Sequence, residues 1–186
     1  THPIVHFHTL FSKKPFVGAT MAISSHLTLL TGIAGINVYI VRILKLPFDI
    51  SLHFYFFFFV GVIITGILKM FFYSSVGAGF LGTLGSSALL YVSIHWIILG
   101  NTINIPLLYI QGLLLGFGAS MTLVSGSMAT LLDGDLKEAA QRSQTMHTIR
   151  NFSAAMLIPI IAYTIKNHIQ KGTQSIYACL LYTSPS

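Results

Sequence analysis

Five apolar stretches along this chain are long enough to cross a lipid bilayer. A transmembrane helix needs about 20 mostly apolar residues, because an α-helix rises about 1.5 Å per residue and the hydrocarbon layer is about 30 Å thick. The stretches lie at residues 16–41, 52–72, 78–99, 105–132 and 149–165. The sequence therefore predicts an all-α membrane protein, folded as a bundle of about five transmembrane helices.

The chain carries too little charge to cover a water-exposed surface. Of its 186 residues 54% are hydrophobic and 8% are charged, whereas roughly 25% of the residues of a soluble domain are charged. The ten lysines and arginines stand mostly singly between the apolar stretches and form no basic stripe that would follow a phosphate backbone. We therefore expect the partner of this surface to be the lipid bilayer, and we expect no binding of nucleic acid.

The polar segments are short except for one. Short connections make consecutive helices antiparallel neighbours in a bundle. The longer segment, 133–150, contains a D-x-x-E capping box that ends at Glu138, so we interpret this connector as an amphipathic helix at the membrane interface that leads into the fifth stretch. The bundle is predicted to occupy residues 1–168 and to be followed by a tail at 169–186. Within this tail, 179–186 resemble translated sequencing-adapter sequence and are interpreted as non-native.

Small residues recur in the third and fourth predicted helices. Gly79, Gly82 and Gly85 lie three residues apart, and Gly112 and Gly116 form a GxxxG pair. Small residues let the backbones of membrane helices approach closely. Two interpretations follow from the sequence: close helix packing, or the lining of a path for a substrate.

Segments in four parts of the chain, taken in order, resemble the C-terminal half of transporters of the major facilitator superfamily. They are HPIV at 2–5, LFSKKPF at 10–16, GLLLGFG at 112–118 and SQTMHTIRN at 143–151. The similarity is greatest to the fourteen-helix drug:proton antiporter branch and spans roughly residues 2–168. The chain departs from the family at Met70, where an acidic residue is usual, and at Ser153 and Ala154, which replace an expected glycine pair.

This resemblance implies a partial C-terminal half of a major facilitator fold. Five of six helices would be present, while the last helix and the N-terminal half of the same transporter would be missing. The implied function is secondary active transport across the plasma (inner) membrane, with export of a small amphipathic compound in exchange for protons and without a cofactor. The family topology places Lys69 near a cytoplasmic loop and 133–150 on the cytoplasmic side.

Two other classes of function stay open from the sequence. A membrane-embedded, histidine-rich metalloenzyme is one, because His2 and His6 have the HxxxH spacing of metal-binding boxes and His8 follows them. Such enzymes need several boxes, and the other histidines are isolated, so we expect no metal site. A membrane subunit that does not transport is the other class.

Polar side chains inside the apolar stretches are the candidates for a substrate or proton path, because their burial in lipid is costly. His26 in the first stretch is a candidate for a proton relay, and His95 near the end of the third is a weaker one. Asn37 and Gln111 are candidates for hydrogen bonds to a substrate. The alternative for Asn37 and Gln111 is that they only hold helices together.

Arg150 begins the fifth apolar stretch and follows a polar segment that carries the acidic residues Asp133 and Glu138. The resemblance favours a gate-like contact between the Arg150 guanidinium and one of these carboxylates. The alternative is that Arg150 only extends towards the membrane interface. Asp133 and Glu138 are interpreted as caps and interface charges, with proton coupling as the alternative.

Overall fold

The computed structural model describes residues 13–99, 104–132 and 138–183, with side chains described within 14–98, 104–132 and 138–171. This part of the chain is helical and contains no strand, which confirms the predicted all-α class. Its elements are α1 (Lys13–Asn37), a π-helix (Val38–Ile43), α2 (Phe48–Leu99), α3 (Ile105–Leu132) and α4 (Ala139–Thr183). Four helical segments are long and apolar enough to cross a membrane: 14–43, 48–98, 105–132 and 139–171.

Helix α2 is interrupted at Gly77, whose φ of 79° and ψ of 166° are not helical. A positive φ is unfavourable for residues with a Cβ atom, so glycine suits this position. The interruption separates a first arm, 48–76, from a second arm, 78–99. These two arms correspond to the second and third predicted stretches, and a turn at one glycine takes the place of the predicted loop.

The two arms run in opposite directions along α3. The first arm is parallel to α3, because the order of its contacts rises from Phe58 beside Gly116 to Lys69 beside Met121. The second arm is antiparallel to α3, since Gly85 lies beside Thr122 while Trp96, further along, bonds to Gln111. The arms are therefore antiparallel to each other, as short connections predict.

Helices α1 and α4 pack on the other side of α3. The Ser25 hydroxyl of α1 donates to Ala119 O at 3.1 Å, and the Thr130 hydroxyl of α3 donates to Pro15 O at 3.4 Å, so α1 is antiparallel to α3. Met146 of α4 belongs to a buried cluster with Ala19 of α1. Consecutive membrane segments thus run in opposite directions. Helix α3 is the central helix of the bundle, because it contacts both arms of α2, α1 and α4.

Glycines mark the closest approaches to α3. A Cβ atom built on Gly116 overlaps Phe58 O, and one built on Gly61 overlaps Leu113 O. On the α1 side, a Cβ on Gly126 would lie 2.6 Å from Gly18 O. These positions have no room for a larger residue, so close packing explains the predicted GxxxG face of α3.

The outer surface of the bundle is apolar. Met70 is 83% exposed, Ile97 82% and Phe48 77%, which suits side chains that contact lipid. The largest buried cluster lies where the two arms of α2, α3 and the end of α1 meet, and it includes Phe54 and Leu115. The chain thus has the surface and the core of a helical membrane protein.

The observed helices overlap the predicted apolar stretches. The predicted stretch 105–132 is α3, and 16–41 falls within α1 and the π-helix. Helix α4 includes most of the predicted amphipathic connector and the fifth stretch, and it continues through the predicted tail to Thr183. Between Ala139 and Thr183 the sequence contains one proline, Pro159, which lies inside the helix, and the next proline is Pro185, after the helix has ended.

Candidate functional site

The polar side chains inside the bundle lie at different depths between its two ends. The first end carries the starts of α1 and α4 and the end of α3 at Leu132. The second end carries the π-helix, the start of α2 and the start of α3 at Ile105. Arg142 lies near the first end, whereas Arg150, His26 and Lys69 lie deeper between the two ends.

Arg142 closes the end of α3. Its side chain is 2% exposed, and it donates from Nε to Thr130 O and from Nη2 to Leu131 O, both at 3.0 Å. These carbonyls belong to the last turn of α3, where no intrahelical donor exists for them. The positive charge also interacts favourably with the negative end of the helix dipole. Arg142 therefore has a structural role as the C-terminal cap of α3.

Glu138 pairs with Arg142 and not with Arg150. Glu138 Oε2 lies 3.8 Å from Arg142 Nη1, four residues further along the chain, which is the spacing of neighbours on a helix face. Arg150 lies twelve residues after Glu138, about 18 Å along a helix, so the predicted contact between these two side chains is not formed. Asp133, the other predicted partner, lies outside the described residues.

Arg150 is half-buried inside the bundle. It follows Arg142 by eight residues and so lies about 12 Å deeper along α4. Its Nε atom is buried and makes no hydrogen bond. The imidazoles of His26 and His147 lie within range of its positive charge.

The carboxylates among the residues that the structure describes lie away from Arg150. They are Asp49, at the second end, and Glu138, which pairs with Arg142. Arg150 therefore has no counter-charge among the residues that the structure describes. His26 is half-buried one residue after Ser25, near the middle of α1, and its role in a proton relay stays a prediction.

Gln111 is buried between α3 and the second arm of α2. It is 2% exposed, its Oε1 accepts a hydrogen bond from Trp96 Nε1 at 2.7 Å, and its Nε2 lies 2.8 Å from His95 Nδ1. The amide thus donates to an unprotonated imidazole nitrogen. Both ends of the amide have partners in the protein, so Gln111 joins two helices, and a further bond to a substrate stays a prediction.

Asn37 lies at the second end and is exposed. Its Oδ1 accepts a hydrogen bond of 2.8 Å from the Tyr55 hydroxyl, which ties the end of α1 to the first arm of α2. His26 lies eleven residues earlier, about 16 Å along the helix. The structure therefore does not bring the three residues predicted for the path, His26, Asn37 and Gln111, together in one site.

Lys69 is a buried cation that the sequence reasoning did not select. It is 9% exposed, and its Nζ donates to Met121 O at 2.9 Å across the contact of the first arm with α3. It was expected near a loop, but it precedes the turn at Gly77 by eight residues, about 12 Å of helix. The burial of Lys69 could have been predicted from its spacing of four and eight residues from Thr65 and Gly61, which places all three residues on the face that packs against α3.

A groove between α1 and the second arm is lined mainly by hydroxyl groups. It has a volume of about 240 Å³ and includes Ser24, Thr28, Ser86, Ser93 and Thr122. Most of these hydroxyls donate to a carbonyl of their own helix, for example Thr28 to Ser24 O at 2.9 Å. The groove therefore has acceptor oxygens but few free donors.

Histidines, cysteine and carboxylates do not cluster in the described part of the chain. No group of three or more of these residues there has the arrangement to hold a metal ion. His2, His6 and His8, which suggested the metalloenzyme, lie outside the described residues.

Comparison with known protein families, with curated proteins and with solved structures finds no match to this chain. The fold and the interior side chains are therefore the basis of the functional argument. Among those side chains, Lys69 and Arg150 stand out, because each is a cation inside an apolar bundle without a carboxylate partner in the described part.

Proposed function

We propose that this chain is part of a proton-coupled secondary active transporter of small amphipathic compounds in the plasma (inner) membrane. The observation that carries the proposal is the pair of cations, Lys69 and Arg150, deep in the bundle. Ionisable residues within membrane helices mark substrate or ion pathways, because placing Lys or Arg at the centre of a helix costs about 2.5–3.5 kcal/mol. The resemblance to the major facilitator superfamily supports the same proposal.

The two cations suit different tasks. A lysine releases its proton when it is moved to a less polar environment, whereas an arginine stays charged. Lys69 makes one hydrogen bond, to a backbone carbonyl, so its proton is not held by a carboxylate in the described part. In the proposed mechanism Lys69 carries the coupled proton. Arg150 remains charged and attracts an anionic group, or closes the path through a carboxylate in the remainder of the transporter.

The test of coupling uses the product of the complete gene in proteoliposomes that contain a pH-sensitive dye. Cationic, neutral and anionic amphipathic compounds are added in turn, and the compound-dependent proton flux is recorded. We expect Lys69→Gln to abolish this flux and Lys171→Gln, which changes an exposed lysine of α4, to leave it unchanged. Undiminished flux in Lys69→Gln would overturn the role of Lys69, and no flux with any compound would overturn the proposed function.

Arg150 is tested in the same vesicles. We expect Arg150→Ala to reduce transport strongly, about tenfold or more, while the protein level in the membrane stays nearly unchanged. Arg150→Lys is expected to restore little, because a lysine cannot form the bidentate contacts of a guanidinium. Full transport in Arg150→Lys would indicate that the residue only extends towards the interface. The chain of 186 residues alone is expected to transport nothing, since alternating access needs two bundles.

A membrane subunit that does not transport is the second candidate. It is favoured by the exposure of α4, on which Phe152, Met156 and Tyr163 are each more than half exposed. A helix of this kind contacts either lipid or another protein. If Lys69→Gln and Arg150→Ala both leave a phenotype of the cell unchanged while substitutions on this face of α4 alter it, the subunit is the better description.

A further inference from the structure

A large cavity separates the second half of α1 from α4. Its volume is about 920 Å³, which lies within the usual range of sites for small ligands. Leu30 and Ile33 of α1 and Ile161 and Ile165 of α4 form apolar walls. The two helices are in contact near Ala19 and Met146, so the cavity opens where they diverge towards the second end.

The charges at this cavity have one sign. Arg42 in the π-helix and Lys166 on α4 both line it at the second end, and no acidic residue lines it among those that the structure describes. On α4 the lining begins at Ile158, eight residues after Arg150 and about 12 Å further along the helix, so Arg150 does not line the cavity. A compound inside the cavity would therefore have apolar walls along its length and cations at the second end.

Apolar walls alone do not select a ligand in a membrane, because lipid chains are as apolar as the side chains. Selectivity must come from the cations. Basic residues near the membrane surface attract anionic groups by about 1 kcal/mol each, and basic pockets between membrane helices bind anionic headgroups. The walls and the charges together specify one kind of occupant.

We infer that the cavity between α1 and α4 binds an amphipathic anion, with its apolar body between Ile33 and Ile161 and its carboxylate or phosphate between Arg42 and Lys166. A compound that enters from the water and an anionic phospholipid of the bilayer have the same chemistry. The assignment of this anion as the transported substrate rests on the proposed function, whereas the binding site itself does not.

The test measures binding with the product of the complete gene in nanodiscs of phosphatidylcholine. The probe is dansyl-labelled undecanoate, whose fluorescence rises in an apolar site. Dodecanoate is expected to displace it, while dodecyltrimethylammonium and dodecanol, which have similar chains, are expected to displace it poorly. Equal displacement by the cationic compound would overturn the inference.

The variants separate the charges of the cavity from the charge of the protein as a whole. We expect Arg42→Gln together with Lys166→Gln to weaken probe binding at least about tenfold. Lys171→Gln removes one charge from α4, as Lys166→Gln alone does, but Lys171 does not line the cavity, and we expect a change of less than about twofold. The fluorescence of Trp96 reports whether each variant is folded. If the double variant does not fold, Lys166→Gln is measured alone, because Lys166 is exposed. We expect this variant to bind the probe about fivefold more weakly.

Nanodiscs that contain phosphatidylglycerol identify the source of the anion. Weaker probe binding in these nanodiscs supports the site and assigns a phospholipid as its occupant. Unchanged binding supports a compound from the water. Unaltered affinity in the charge variants would overturn the site whatever the lipid. Binding without any compound-dependent proton flux would overturn the proposed function and leave this inference standing.

Discussion

Helices α3 and α4 are both long and apolar, but they are packed very differently. Helix α3 is half buried and touches both arms of α2 and α1, whereas α4 is anchored near its start and is mostly exposed beyond Ile149. Helix α3 carries Gly112, Gly116, Gly118 and Gly126, while α4 presents large side chains. In lipid the burial of a helix follows from close backbone contact and not from hydrophobicity, so hydropathy alone does not distinguish these two helices.

The most direct test of the close packing of α3 is a substitution at Gly116. A Cβ atom at this position overlaps Phe58 O, so Gly116→Ala forces the first arm of α2 away from α3. We expect the free energy of unfolding in mixed micelles to fall by about 3 kcal/mol. Gly66→Ala is the matched control, because no atom lies within 4 Å of its Cβ position, and it should stabilise the helix by up to about 1 kcal/mol. Equal effects of the two variants would refute the packing argument.

The attachment of α4 is tested at Arg142. Arg142→Met leaves Thr130 O and Leu131 O without their side-chain donor and Glu138 without its partner. We expect a loss of about 2 kcal/mol, since unsatisfied buried polar groups cost about 1–3 kcal/mol. Hydrogen exchange should rise at the end of α3 and the start of α4 but not where α2 meets α3. Exchange that rises along the whole of α3 would contradict a local cap.

A smaller effect is expected at Gln111. Gln111→Leu removes the acceptor of Trp96 Nε1 and the neighbour of His95 Nδ1, and we expect a loss of about 1.5 kcal/mol. Trp96 is the only tryptophan, so its emission maximum reports this contact directly. Gln144→Leu, at an exposed position of α4, should change neither stability nor emission. An unchanged Trp96 spectrum in Gln111→Leu would show that the contact is not formed.

The smallest effect is expected on the exposed face of α4. Phe152 is 67% exposed, and we expect Phe152→Ala to change the free energy of unfolding by less than about 0.5 kcal/mol. Phe54, which is fully buried against α3, is the matched position, and Phe54→Ala should cost about 3 kcal/mol or more. A large loss in Phe152→Ala would show that this face is covered in the folded protein.

Much of the fold follows from local sequence properties. Hydropathy predicts α3 at its observed bounds, and small residues predict its close contacts, because both properties belong to single helices. The burial of Lys69 depends on how the first arm crosses α3, and the pairing of Glu138 depends on where α3 ends. Both features depend on how two helices are placed relative to each other, so the hydropathy of a single helix does not predict them. Helix α4 extends past the predicted end of the fifth stretch at residue 165, because polarity was taken there as the end of the helix, and polarity does not break one.

The turn at Gly77 has a consequence for how this protein enters the membrane. Its two arms are joined by one non-helical residue, so the hairpin has no loop that an insertion machinery could translocate on its own. We therefore expect the arms to enter the bilayer together, with the turn on the side from which α1 starts and α3 ends. Lys69 is about 12 Å of helix from this turn, so its charge reaches its buried position without crossing the full hydrocarbon layer.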